Sequence, residues 1–170
     1  MERIILTQQE SDEYKNIFDT ASSSHRGNYK ISDIAQNPVF VSTISQYDDA
    51  KKVRFVLYML NTDFRREKDY ALYYGFLQNI FKKKMKMTEE EIVTLCDIYH
   101  NWFDMFDAVG IKGFVTQALK NLSSTPSGEI KQHLHAFCID IQNADIAFAP
   151  QRAKTREAAI EKIEAYLKDK

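Results

Sequence analysis

Apolar residues recur at steps of three and four along the chain from residue 48 onward. Such steps line up side chains along one side of an α-helix, whereas a half-buried strand alternates apolar and polar residues. Six apolar stripes follow the helical spacing. The longest of them contains Ile92, Leu95, Cys96, Tyr99, Trp102, Phe103 and Phe106. The pattern predicts helices that begin near residues 48, 66, 88, 109, 127 and 151.

Several predicted helix starts carry residues that satisfy the free N–H groups of a first turn. Thr88 and Glu91 have the spacing of a capping box, in which a hydroxyl and a carboxylate each accept from the other residue's backbone N–H. Thr125 is predicted to cap a later helix, with Pro126 at the first helical position, where no N–H donor is needed. Pro150 is predicted to open the last helix in the same way.

Taken in pairs, the predicted helices form units that begin near residues 48, 88 and 127, a period of about 40 residues, which is typical of two-helix repeats. In this respect residues 48–170 resemble HEAT- and armadillo-type helical repeats. The resemblance implies an all-α fold in which three antiparallel helix pairs form a short right-handed stack, a HEAT-like solenoid. An irregular helical bundle is the alternative architecture.

The first 47 residues are predicted to cap this stack within one overall domain. Tyr14, Ile17 and Phe18 follow an acidic start and suggest one helix, and a polar loop comes after it. The β-branched run from Val39 to Ile44 has no partner strand in the sequence, so we expect an irregular segment or a short helix. A solenoid needs such a cap because the open end of its stack exposes an apolar face.

Composition narrows the class of protein. The chain has 44% hydrophobic and 28% charged residues, which is sufficient for a globular core. Five glycines and three prolines are too few for an all-β fold with many turns. The net charge of −1 indicates neither a polyanionic nor a membrane partner for the chain as a whole.

The sequence also indicates a compartment. It contains no apolar run as long as the roughly 18–20 residues that span a bilayer, and its start lacks the long apolar stretch of a signal peptide. Cys96 and Cys138 are the only cysteines, too few for the disulfide framework of a small secreted domain. We therefore expect a cytoplasmic protein with two free thiols and no membrane contact.

The candidate metal ligands form one set. Cys96 and His100 lie four residues apart on one predicted helix, and His135 and Cys138 lie three apart on another. Two such pairs facing each other have the ligand types of a tetrahedral zinc site. Both cysteines also belong to apolar stripes, where a free cysteine acts as a small core residue. That second interpretation is preferred, so neither a metal nor a cofactor is predicted.

No short enzymatic motif is present. The glycines form neither a dinucleotide-binding nor a phosphate-binding loop, and no metalloprotease or nucleophile-elbow motif occurs. His100 and Asp104 lie four residues apart on one predicted helix, as a general acid–base pair would require, and Asp97 lies on the same polar side. A solvated helix face has the same spacing and is the preferred interpretation. No catalytic residue is predicted.

Charge is concentrated in one segment. Residues 51–86 contain ten basic and three acidic residues, a net charge of +7. The candidate binding residues are Lys51, Lys52, Arg54, Arg65, Arg66, Lys68, Lys82, Lys83, Lys84 and Lys86. Basic side chains near aromatic ones can bind nucleic acid, although they can equally bind an acidic protein or form a solvated surface.

The sequence therefore favours a non-catalytic helical-repeat module that binds a protein partner, which the basic segment suggests is acidic. Binding of nucleic acid through residues 51–86 is the first alternative. An enzyme without a recognisable short motif is the second, and it would require a deep pocket lined by convergent titratable groups.

Overall fold

The computed structural model describes residues 1–22, 36–61, 77, 79–81, 85–100, 114–143 and 150–169. Within these ranges the secondary structure is helical and no β-strand forms, which confirms the all-α class. The helices are α1 (Gln8–Ser22), α2 (Pro38–Ser45), α3 (Asp49–Leu60), α4 (Glu89–His100), α5 (Thr116–Lys120), α6 (Gly128–Asn143) and α7 (Pro150–Asp169). None of the helices in these ranges is long and apolar enough to cross a membrane.

The chain divides into two compact units. The N-terminal unit is Ile5–Lys82, and the C-terminal unit combines Met1–Ile4 with Lys83–Lys170. The predicted cap, residues 1–47, thus falls largely into the same unit as the first predicted helix pair. The predicted helix starts near residues 66 and 109, and Trp102, lie outside the described residues.

In the N-terminal unit, α1 packs against both α2 and α3. Its core is aromatic, because Tyr14, Phe40 and Phe55 are each almost fully buried. The ring of Phe55 lies 5.5 Å from that of Tyr14, edge to face, and 6.0 Å from that of Phe40. Such tilted and edge-on arrangements are the favourable ones for aromatic pairs.

The β-branched run after Pro38 forms the short helix α2. Asn37 caps it, since the side-chain oxygen accepts from the backbone N–H of Val39 and of Phe40, both at 3.1 Å. Pro38 then occupies the first turn, where its missing N–H costs nothing. The Asn37 cap and Pro38 therefore favour a helix, although the β-branched residues of this run have a high β-propensity.

The C-terminal unit is formed by α4, α5, α6 and α7. In it α4 packs on α6, α6 on α7, and α5 on α7. The described residues of the predicted apolar stripes form its core, except for Leu122 and Leu167, which are half-buried. Its fully buried side chains include Ile92, Leu95, Cys96, Phe114, Ala118, Ile130, Leu134, Cys138, Ile141 and Ile163.

Of the three helix starts with a predicted capping residue or opening proline, two are confirmed and one is wrong in detail. Thr88 and Glu91 form the reciprocal capping box, with N···O distances of 3.2 and 3.3 Å. The last helix opens at Pro150. The cap of α6 is Ser127 rather than Thr125, because the Ser127 hydroxyl accepts from the N–H of Ile130 at 3.2 Å.

The starts of α4 and α6 are joined directly. The carboxylate of Glu89 accepts two hydrogen bonds from Ser127, one from its N–H and one from its hydroxyl, both at 2.7 Å. Next to them, Met87 forms an isolated parallel bridge with Leu122, and the N–H and hydroxyl of Ser123 both donate to the Met87 carbonyl at 2.9 Å. These bonds fix the loop between α5 and α6 against the segment that leads into α4.

Candidate functional site

Four of the ten predicted basic binding residues lie within the described part of the chain. Lys51, Lys52 and Arg54 are on α3 in the N-terminal unit, and Lys86 is an exposed residue of the C-terminal unit. The other six lie outside the described residues: Arg65, Arg66, Lys68, Lys82, Lys83 and Lys84.

Two of these cations form ion pairs within the N-terminal unit. Arg54 pairs with Glu10 of α1 through Nε and Nη2, the latter at 2.9 Å, and it also donates to the carbonyl of Ile5 at 3.2 Å. Lys51 pairs with Glu13 at 2.6 Å and lies over the ring of Tyr47, 4.4 Å from its centre. The charges of Arg54 and Lys51 are balanced within the unit, so these two residues contribute little to a basic surface for an acidic partner.

The Arg54–Glu10 pair makes the stability of the N-terminal unit depend on pH. The hydrogen bond from Arg54 is the main reason that the pKa of Glu10 falls from 4.5 to about 2. A lowered carboxyl pKa stabilises the fold above the ordinary pKa, and that stability is lost as the pH falls from 4.5 toward about 2. Glu10→Gln should lower the free energy of unfolding by about 1–2 kcal/mol at neutral pH and remove this acid dependence.

Glu13→Gln is the matched control for that experiment, since Glu13 is also on α1 and also pairs with a cation of α3. Both partners of the Glu13 pair are more exposed, so its loss should cost less than about 1 kcal/mol. Hydrogen exchange of α1 and α3 at a series of pH values measures both effects. Equal losses in the two variants would contradict the role given to Glu10.

The four candidate metal ligands separate into two environments. Cys96 on α4 and Cys138 on α6 are both free and buried in the C-terminal unit. Burial raises the pKa of both thiols, that of Cys138 to about 12, so they are neutral at physiological pH. Buried, neutral thiols of this kind pack as small core residues.

The two histidines of that set lie on the outside. The Nδ1 of His100 lies 3.5 Å from a carboxylate oxygen of Asp140, and both side chains are about half exposed. His135 is exposed on α6. Among the described residues, no group of three or more His, Cys, Asp or Glu side chains is arranged to hold a metal ion.

Two His–Asp contacts lie where α4 meets α6, and the exposed Ile139 is next to one of their residues in the sequence. We call this set the α4–α6 surface and define it as Asp97, His100, His133, Ile139 and Asp140. The Nε2 of His133 lies 3.7 Å from Asp97, just as His100 lies beside Asp140. Each contact joins α4 to α6. Ile139, which precedes Asp140, is 44% exposed and places an aliphatic side chain on the outer side of α6.

The N-terminal segment of the chain supports one edge of this surface. Arg3 donates to the Asp97 carboxylate, and the N–H of Ile4 donates to the Thr94 hydroxyl at 2.7 Å. Burial lowers the pKa of His133, and Arg3 acts in the same direction, while Asp97 opposes the shift. At neutral pH, His133 is therefore an uncharged hydrogen-bonding group beside an Arg–Asp ion pair.

Most members of the α4–α6 surface escape prediction from the sequence. The sequence predicts a solvated position for Asp97 and offers His100 as a metal ligand. The contacts of His133 and Asp140 depend on the packing of α6 against α4. The predicted apolar stripes do indicate which polar residues of the two helices lie near each other. Cys96 and Cys138 define the facing sides of the two helices, and the polar residues flanking them must then meet at the edge of the interface.

Comparison with family models, with curated proteins and with solved structures yields no match for the chain.

Proposed function

We propose that the chain is a non-catalytic interaction module that binds a protein partner and that its C-terminal unit is a short right-handed stack of antiparallel helix pairs. The contacts α4–α6, α6–α7 and α5–α7 support this arrangement. In a stack of pairs, each helix touches its own partner and the equivalent helix of the next pair. With α4 and α5 as one pair and α6 and α7 as the next, all three contacts have this form.

The register of α4 and α6 is the observation that carries the proposal. Ser127 at the start of α6 bonds to Glu89 at the start of α4, 38 residues earlier. Further along, Asp97 meets His133 and His100 meets Asp140. The two helices therefore run in the same direction, and their offset of about 40 residues supports a role as equivalent helices of neighbouring repeats.

A stack of this kind presents equivalent helices side by side, which produces an extended surface rather than a deep cleft. The α4–α6 surface has the mixed character of protein-binding surfaces, with an exposed aliphatic side chain at Ile139 and polar groups around it. Imidazoles beside carboxylates supply both hydrogen-bond donors and acceptors for a partner. We infer that the partner contacts Ile139 and the two His–Asp pairs.

The experiment compares captured proteins for the tagged full-length chain and two variants. Ile139→Glu introduces a charge into the proposed interface and should lower the recovery of a specific partner by about tenfold or more. Val39→Glu is the matched control, because Val39 is another exposed aliphatic residue, 68% accessible, on α2 of the N-terminal unit. Circular dichroism confirms that both variants keep their helices.

Two results would contradict the proposal. One is a set of captured proteins that binds the unmodified chain and both variants equally. The other is a set that is lost with Val39→Glu and retained with Ile139→Glu, which would place the interface on the N-terminal unit instead.

A further inference from the structure

A groove of about 500 Å³ lies beside the loop between α5 and α6 in the C-terminal unit. This volume is within the range of roughly 300–1,000 Å³ in which proteins bind small molecules and peptide side chains. The loop supplies one wall, the end of α5 another, and Tyr166 of α7 a third. No residue of the α4–α6 surface lines it.

One part of the groove is apolar. Leu119 and Pro126 are buried beneath it, and Leu122 is half-buried at its side. The ring of Tyr166 is half-buried on the opposite element. An aliphatic or aromatic side chain of a ligand can cover these groups and remove further apolar area from water.

The other part of the groove is polar and rich in donors. It contains the ammonium group of Lys120 and the hydroxyls of Ser124 and Thr125, all of them exposed. Within the described part of the chain, none of these three side chains, nor the Tyr166 hydroxyl, has a hydrogen bond or an ion pair. The groove therefore offers one positive charge and several hydroxyls that the fold itself does not use.

The loop that carries Ser124 and Thr125 is held in place before any ligand arrives. Ser123 is bonded to Met87 through both its N–H and its hydroxyl, and Ser127 is bonded twice to Glu89. A wall that is already ordered loses little conformational entropy on binding, which favours affinity. The loop is thus a preformed part of the groove.

The charges near the groove decide which ligand it suits. Burial, and in second place the carboxylate of Glu89, raises the pKa of Tyr166, so its phenol remains a neutral donor. Glu89 directs both oxygens to Ser127 and lies in the first turn of α4, where the helix dipole favours its charge. Lys120 is the cation that the groove presents to a ligand. One ammonium group matches a carboxylate better than a doubly charged phosphate.

We propose that this groove binds an extended peptide segment of the partner protein, in which an Asp or Glu side chain lies next to an aliphatic or aromatic one. This inference rests on the proposed role as an interaction module and names the chemistry of the partner. The carboxylate accepts hydrogen bonds from Lys120 and from the hydroxyls of Ser124 and Thr125. The apolar neighbour packs on Leu122 and the ring of Tyr166.

Selection of random peptides displayed on phage against the full-length chain tests the proposal directly. Enriched peptides should share an acidic residue beside an apolar one. Synthetic fluorescent copies of them should bind with an affinity that falls as salt is added.

Lys120→Glu should weaken the binding of these peptides by about tenfold or more, since a hydrogen bond to a charged group is lost and a repulsion replaces it. Lys120→Gln should give a smaller loss, and Tyr166→Ala should weaken the apolar contact.

The matched control is Lys154→Glu, another charge reversal of an exposed lysine in the same unit. Lys154 lies about 18 Å along α7 from Tyr166, and we expect its variant to bind the peptides unchanged. Peptides without a shared acidic residue, or equal binding to the Lys120 and Lys154 variants, would overturn the proposal.

The outcomes also separate this inference from the proposed function. If peptides or partner proteins no longer bind the Ile139→Glu variant but still bind the Lys120→Glu variant, the proposed peptide site in the groove is contradicted. The same result supports the proposed interaction module. Failure of both the peptide selection and the partner capture contradicts both proposals.

Discussion

Replacing Phe55 by alanine should lower the free energy of unfolding of the N-terminal unit by about 3–5 kcal/mol. Phe55 is fully buried on α3, and its ring contacts those of Tyr14, Phe40 and Tyr47 from α1, α2 and the link between α2 and α3. Truncation removes the contact that these elements share and leaves a cavity among rings that have little freedom to close it. The free energy lost because the ring is no longer buried and the free energy cost of the cavity therefore add.

Hydrogen exchange is the appropriate measurement, because two compact units make a single unfolding free energy ill-defined. Loss of protection should appear in α1 and α3. Phe55→Leu is the control, and its cost should stay below about 3 kcal/mol because most of the volume is kept. An alanine variant with unchanged protection would contradict the central place given to Phe55.

Replacing Leu134 by alanine should destabilise the C-terminal unit by about 2–5 kcal/mol. Leu134 is fully buried on the side of α6 that carries Cys138, and α6 packs on both α4 and α7. The lost side chain therefore leaves a cavity at the centre of the proposed stack. Hydrogen exchange of α4, α6 and α7 measures the change.

Ile139→Ala is the matched control for Leu134→Ala, since it removes an aliphatic side chain from the same helix at a position that is 44% exposed. Its cost should stay within about 0.5–1 kcal/mol, because surface substitutions remove little buried area. Similar costs for the two variants would mean that the assigned sides of α6 are incorrect. A clear difference would also establish that Ile139 can be changed in binding experiments without loss of the fold.

Helix positions were predictable where local interactions decide them. The stripe of Ile92, Leu95 and Cys96 and the Thr88–Glu91 box located the start of α4 to within a residue, since both depend on neighbours less than two turns apart. The same reasoning misplaced the cap of α6 at Thr125. Ser127 and Thr125 have similar capping side chains, and the bonds from Ser127 to Glu89, which help to position it, come from a distant part of the chain.

The assignment of Arg54 as a binding residue illustrates a second limit. Its sequence neighbours are basic and suggest an exposed positive segment, yet its partner is Glu10, 44 residues away. Charge along a sequence records which groups are present, and it does not record which oppositely charged groups the fold brings to them. Lys51 and Glu13 provide a second example in the same unit.

The sequence by itself determined the all-α class, the buried sides of α3, α4 and α6 and the placement of Cys96 and Cys138 in the core as free thiols. These properties follow from the helical period and from local side-chain chemistry. Only the tertiary structure decided that His100 meets Asp140, that Asp97 meets His133 and that Lys120 shares a groove with Tyr166. Each of these depends on the register between helices, which is set by packing across tens of residues rather than by any local pattern.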